Sequence, residues 1–556
     1  MARSSWSRGV SGWLNRGLFS SALAVCLSAC EPAGQVEPPK PSPAENEDVA
    51  VDAKALLDSM AVFSLRPLSH EPVPQPVGSR IINKAAAIRL GKAFFWDIQS
   101  SGDGETACAS CHFAAGADDR KNNTIHPGFD NTFDSIAGPG QDFTLAKITS
   151  DDRVGSMGPF RAAFLGLDMD NLDNPADQCV VVPAEPFNEF RLVGPRHTPT
   201  VVGSGFYRNQ FWGGEANVLF NGVNIWGDSG NNGQGFLVRI EGASLASQAT
   251  GPVTNFSEQG CSGRQILGPD SLGTKLIPRQ PLRHQRVSVN DSVLGAMANP
   301  DGPGLLCNGE PCTYDRMIRD AFGDALANVG ENAFSLFWGE ALQAYQATLI
   351  PDQTPFDRFL GGNLSALTPK QLKGLSVFVG KGECINCHTG AMLTDATVSW
   401  YEIAGPINRD GGDTGFHNIG VRPTEDDLAR GDLGVFGGVP NSVSLSPFDM
   451  GAFKTPTLRN VGLNPPYFHN GGYPTLEDVV DFYERGGDFA NPEKSLDIVP
   501  RVFTASDRSA LVDFLRNALT DCRVKTYRAP FDHPELTFPN RETLPVTGRS
   551  GIGVCN

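Results

Sequence analysis

Two short motifs, ACASCH (Cys108, Cys111, His112) and ECINCH (Cys384, Cys387, His388), constrain this chain more than any other feature of it. Cysteines three apart on one helical turn reach the two vinyl positions of a single porphyrin, and the histidine that follows reaches the iron. A zinc site would want a second Cys or His pair at ligand spacing beside each motif, and neither has one. The spacing therefore predicts two covalently bound haem c groups. Each motif has a similar prelude, a helix and then a Gly-rich turn. The stretches 86–96 (AAIRLGKAFFW) and 367–379 (LTPKQLKGLSVFV) show helical apolar spacing, with Thr368 as cap and Pro369 in the first turn. The module occurs twice, 276 residues apart from Cys108 to Cys384, and no other internal repeat is evident.

Covalent haem implies an oxidising compartment, and the N-terminus agrees. Arg3, Arg8 and Arg16 precede the apolar run Leu18–Ala29, which is too short to span a bilayer. The run ends Leu27-Ser28-Ala29-Cys30, which resembles a bacterial lipobox with Cys30 as the lipid-attachment site. Glu31 then implies an outer-membrane destination, so the expected location is the periplasm, by lipid anchor only. Segment 31–57 is Pro- and Glu-rich and reads as a solvated tether. Besides Cys26, Cys30 and the four motif cysteines, six remain: Cys179, Cys261, Cys307, Cys312, Cys522 and Cys555. An even number predicts up to three disulfides, with Cys307 and Cys312 a close pair.

Net charge is −17, and −20 once residues 1–29 are removed. An acidic chain is a poor nucleic-acid binder and suits a basic protein partner. With 40% hydrophobic residues the bulk should fold, and 62 Gly and 41 Pro predict long loops between helices.

Taken together, LGKAFFWD…CASCH, GPRHTPTVVGSGFYRNQFWGG, SLASQATGPVTNFSE, PFDRFLGG…GECINCHTG and FKTPTLRNVGLNPPYFHNGGYPTLEDVVDFY resemble the bacterial di-haem cytochrome c peroxidase superfamily, which includes MauG-type enzymes. The resemblance covers most of residues 80–520. It implies a mainly α fold with long loops, in which two class I-like cytochrome c domains each bind one covalent haem c. It also implies that the haem on His112 is the peroxide site and the haem on His388 an electron relay. The family pattern Q-A-x-x-P followed by a glutamate matches Gln248, Ala249, Pro252 and Glu258. On that match Glu258 is the acid–base residue and Gln248 orients peroxide. Trp212 matches a tryptophan between the haems.

Tyr483 falls in TLEDVVDFYERGG, where Thr475 caps a helix that Gly486-Gly487 ends, and where Leu476, Val479, Val480 and Tyr483 form one apolar stripe. The resemblance makes Tyr483 the axial ligand of the second iron, as in MauG-type members, where classical members have methionine. His469 is the alternative ligand and Met450 a more distant one. The histidine that closes the peroxide site in classical members is missing from Phe187-Asn188-Glu189-Phe190, with His126 and His197 as conceivable substitutes. His197 and Asn464 stand where the family has calcium-site residues, and imidazole suits a hard cation poorly, so calcium is not predicted. Residues 215–243, with Trp226, look like an insertion, and 130–190 and 262–315 look enlarged.

The expected organisation is 1–29 signal peptide, 30–70 tether, 71–335 N-terminal haem domain, 336–545 C-terminal haem domain and 546–556 tail. The leading expectation is a peroxidase reducing hydrogen peroxide with electrons from a small periplasmic cytochrome c or cupredoxin. The alternatives are a MauG-like oxidase or oxygenase acting on a protein or organic substrate, and a non-catalytic di-haem electron carrier.

Overall fold

A computed structural model describes residues 51–134, 138–229, 237–431, 443–444, 446–539 and 542–555. The signal segment, Cys30 and the tether up to residue 50 lie outside the described residues. The fold is helix-rich with long loops, and its described strands form only two-stranded sheets. Among the described residues no helix is long and apolar enough to cross a membrane.

Two large apolar cores organise it. The first gathers helices Lys84–Trp96, Tyr314–Phe322 and Phe334–Gln346 around Phe94, Phe337 and Trp338. The second gathers Pro355–Leu360, Pro369–Val379 and Ala505–Asp513 around Phe356, Phe378 and Phe514. Val524, Leu536 and Phe538 from the far end of the chain pack into the first core, as does the helix beginning at Phe334. A boundary at 335/336 therefore divides the sequence at a point where the packing is continuous.

Local chemistry explains the helix ends. Thr368 accepts a hydrogen bond from Gln371 N while the Gln371 side chain accepts from Thr368 N, a reciprocal cap with Pro369 in the first turn. Thr475 caps Leu476–Glu484, and Gly486 and Gly487 follow with φ of +80° and +88°, a region glycine enters without steric cost. The stripe of that helix differs from expectation. Leu476, Val480 and Phe482 are buried, whereas Val479 and Tyr483 are half-buried. Phe482 turns to a second apolar cluster with Tyr473 and Val421, so the helix is buried on two sides.

The tether also ends earlier than expected. Residues Ala53–Met60 form a helix capped by Asp52, and Met60, Leu65 and Leu68 are buried in the body of the fold. Their apolar surface outweighs the Pro-rich composition that suggested a solvated run to residue 70. The six non-motif cysteines form three disulfides: Cys179–Cys261, Cys307–Cys312 and Cys522–Cys555.

Candidate haem sites

Each motif histidine is held in the same way. His112 Nδ1 lies 3.0 Å from Gly116 O and His388 Nδ1 lies 3.1 Å from Leu393 O. A carbonyl can only accept, so Nδ1 carries the proton and Nε2 is left as the lone-pair donor. Burial lowers both imidazole pKa values, which keeps the rings in the neutral, ligating form. Burial likewise pushes the thiols of Cys108, Cys111 and Cys384 up to about 12.

The likeness runs far beyond the motifs. The two halves share a loop, HTPTVVGSGFYRNQFWGG and KTPTLRNVGLNPPYFHNGG, which the sequence stage left unpaired as a repeat. Thr200 Oγ1 donates to Ala115 O (2.7 Å) and Thr457 Oγ1 to Met392 O (2.6 Å), in each case the carbonyl just before the one holding the histidine. Gly203 and Asn460 both take positive φ (+80° and +62°), as do Phe211 and Phe468 (+65° and +67°). Gly203 N donates to Leu349 O and Asn460 N to Leu519 O, both at 2.8 Å.

The helix crossings repeat as well. A Cβ on Gly91 would lie 1.9 Å from Ala341 O, and one on Gly374 would lie 2.1 Å from Ala510 O. Each motif is thus carried by a helix pressed through a bare glycine onto a partner backbone.

In this alignment Trp212 corresponds to His469 and His197 to Lys454. The equivalents exchange bonds across the junction: His197 N donates to His469 O and Lys454 N to Trp212 O, both at 2.7 Å. Such an exchange is the mark of a local pseudo-two-fold. Trp212 Nε1 also donates to His197 O at 2.7 Å, and its ring meets His469 edge to face at 6.4 Å. Trp212 therefore sits at the junction of the halves. His469 is stacked on Phe453 at 3.5 Å, and burial depresses its pKa to about 3. Met450 packs near Gly431, and its backbone carbonyl accepts from Asn418 Nδ2.

Glu258 lies close enough to the first motif for its charge to act on both Cys108 and Cys111. Burial pushes its carboxyl up to about 7, with the Asn255 side chain pulling the other way. The following residue, Gln259, is buried. Its Nε2 donates to Ser100 Oγ and Thr106 O, and its Oε1 lies 3.6 Å from Cys108 Sγ. Disulfide Cys179–Cys261 closes the same loop three residues past Glu258. Gln248 is on helix Ser244–Ala249, pinned by Trp338 Nε1 donating to Ala249 O (2.8 Å) and Ala246 N donating to Gln343 Oε1 (3.1 Å). Gln259 and the disulfide were not singled out from sequence; a glutamine beside a candidate acid and a pairing across 82 residues carry no local pattern.

At the second motif Tyr483 feels the charges of Cys387 and Cys384, and burial is the largest cause of its raised pKa. His417, not anticipated, is buried there too, with Nε2 2.8 Å from Asp395 Oδ2 and Nδ1 3.6 Å from Asp410 Oδ2. Burial opposes its charge, yet the fields of Cys387 and Asp395 hold its pKa well above the ordinary value. His126 and His197 are both driven down to about 4 by burial.

The residues fit haem c. Six cysteines pair with one another, while Cys108, Cys111, Cys384 and Cys387 stay free, two beside each neutral imidazole. Phe95 stands 6.3 Å from the His112 ring, and Phe113, Val202 and Leu349 line the cavity beside it.

Comparison with known proteins agrees. The family model described as di-haem cytochrome c peroxidase matches residues 85–269, which include the first motif, Trp212, Gln248 and Glu258. The chain is 29% identical to cytochrome-c peroxidase IdrP1 of Pseudomonas sp. (strain SCT), over 43% of this chain and 63% of that one. It is 32% identical to the methylamine utilization protein MauG of Methylorubrum extorquens, over 36% of this chain and 48% of that one. The chain thus spans about half to just under two thirds of these relatives' length. A solved MauG-like protein associated with microbial copper homeostasis superposes with a TM-score of 0.44 at 20% identity, over 84% of this chain and 96% of that one. Through the segment that carries its first CxxCH motif and Glu258, the chain belongs to the di-haem cytochrome c peroxidase family.

Proposed function

We propose that this protein is a di-haem c-type peroxidase that reduces hydrogen peroxide to water with electrons from a small periplasmic cytochrome c or cupredoxin. The observation that carries the reading is Glu258, a carboxyl with its pKa raised by burial to about 7 beside Cys108 and Cys111. Cys108, Cys111 and His112 would hold one haem c, and Cys384, Cys387 and His388 the other, in two cytochrome c-like halves. When bound, these groups supply iron that accepts and gives electrons singly. The remaining work belongs to the chain. A carboxyl titrating near neutrality takes a proton from peroxide and returns it to the departing oxygen, which leaves as water. The Gln248 amide orients the peroxide. Trp212, at the junction of the halves, is the intermediate station for electrons. The balance is H2O2 with two electrons and two protons giving two waters.

Tyr483 is our preferred axial residue for the second haem, because it shares the electrostatic surroundings of Cys384 and Cys387. The His469 ring is instead engaged by Phe453 and Trp212. A phenol there also favours a second reading, a MauG-like oxidase acting on a protein or organic substrate. A pure electron carrier has no use for Glu258. We include lipid anchoring to the outer membrane through Cys30, and no calcium.

Purified protein should carry two haems per chain by the pyridine haemochrome assay. Cys384→Ser with Cys387→Ser should carry one. Peroxide should oxidise a reduced cytochrome c only in the presence of the two-haem protein. A two-haem preparation that leaves the reduced cytochrome untouched would refute the peroxidase reading.

A further inference from the structure

The enlarged region before the first GPR block folds as an antiparallel hairpin, Ala162–Gly166 paired with Gln178–Val181. It presents apolar side chains to solvent: Leu165 is 70% exposed, Val181 54%, Val180 49% and Val182 40%. Phe256, two residues before Glu258, is 42% exposed, and Arg161 from the hairpin stacks over its ring at 5.6 Å. Single exposed apolar residues are ordinary, but a run of them on one ribbon marks a contact surface.

The ribbon is not loosely attached. At its base Asp177 is fully buried between Arg264 (2.9 Å) and Lys275 (2.6 Å). Ser262 N donates to Ala162 O (2.7 Å), Phe164 N donates to Ser262 O (3.0 Å), and Cys179 is bonded to Cys261. A platform fixed by a buried ion cluster and a disulfide loses little entropy when a partner lands on it.

Its charge indicates the partner. Residues 160–190 contain Asp168, Asp170, Asp173, Glu185 and Glu189 besides the buried Asp177, against the single base Arg161. All five except Asp168, which is half-buried, are exposed. Arg283 pairs with Asp173. An apolar strip among acids complements a protein with an apolar contact ringed by lysines, and repels an anionic lipid surface. The platform also leads inward, from Cys179–Cys261 through the two-residue step to Gln259, whose Oε1 is 3.6 Å from Cys108 Sγ.

We propose that the 160–190 hairpin, with Phe256, is the docking face for a small lysine-rich electron-donor protein. This rests on the peroxidase reading and adds the place of entry. Each docking event passes one electron, oxidising the donor by one. Two events and two protons complete the reduction of one hydrogen peroxide.

The test uses the two-haem protein with mitochondrial cytochrome c as the lysine-rich probe. Three quantities are measured: the dissociation constant of the oxidised probe, kcat and KM with the reduced probe, and the rate of the first reaction with peroxide. Leu165→Ser with Val181→Ser, and separately Asp170→Lys with Glu189→Lys, should each raise Kd and KM at least about tenfold. Both should leave kcat and the peroxide step within about twofold, and wild-type binding should weaken with salt. Unchanged Kd and KM in both variants would overturn the proposal. So would loss of binding to phosphatidylglycerol vesicles in the Ser variant with KM unchanged, which would make the ribbon a membrane contact. If the wild type does not react with peroxide, the peroxidase reading fails alone and the Kd comparison still decides the docking face.

Discussion

Glu258→Gln should reduce the rate of peroxide reduction by about 10²–10⁴, the usual contribution of a positioned acid–base group, while haem content stays at the wild-type value. Glutamine keeps the shape and loses the proton transfer. The pH dependence has a definite sign. The ionised carboxylate accepts the first proton, and its pKa stands near 7, so the wild-type rate should rise with pH through neutrality. The variant should be flat over that range. Stability should move the other way. A carboxyl whose folded pKa is raised from 4.5 to about 7 binds its proton more tightly when folded, so wild-type stability falls as pH rises between those values. Glu258→Gln should therefore gain thermal stability over wild type at pH 8 and show no gain at pH 4. Stopped-flow peroxide kinetics and thermal scans at the two pH values check both parts. An unchanged rate in a variant with full haem content removes the catalytic assignment.

Gly91→Ala and Gly374→Ala should be the most damaging single-methyl additions in the fold. The new Cβ would sit 1.9 Å from Ala341 O or 2.1 Å from Ala510 O, and both obstacles are backbone. Relief requires the helix pair to separate. Overpacking commonly costs about 1–3 kcal/mol, and parting two helices that also carry the core should exceed that range. Phe94 and Phe95 follow Gly91 on the same helix, and Phe95 stands beside His112, so Gly91→Ala should also lower haem occupancy at the first motif. Gly374→Ala should do the same at the second. Melting temperature and haem stoichiometry report the two effects. Wild-type values for both variants would mean that the helices do not cross in this way.

The parts of this fold legible in the sequence were those with short-range chemistry. Two CxxCH motifs, the Thr368–Gln371 cap and the Cys307–Cys312 pair each declare themselves within a few residues. The Thr198-Pro199-Thr200 and Thr455-Pro456-Thr457 loops were harder. Their equivalence lies in positive φ at unlike residues, Gly203 against Asn460, and in hydrogen bonds to distant carbonyls. The Cys179–Cys261 bond joins residues 82 apart and depends on a hairpin with no turn signature in its long connection. His417 gave no warning either, since its importance comes from Asp395 and Asp410 arriving on separate segments. Residues 51–70 were misread because composition speaks for an average, while three side chains, Met60, Leu65 and Leu68, settle the docking.

The matched carbonyl contacts of His112 and His388, 3.0 and 3.1 Å, bear on how the halves can differ. A backbone acceptor at the same distance polarises each imidazole to the same degree, so both present lone pairs of comparable strength. Any division of labour between the two centres must then originate on the opposite side of each plane, where Glu258 and Gln248 attend one and Tyr483 the other. Exchanging those few groups, with the shared scaffold untouched, is the shortest route to inverting which half reacts and which conducts.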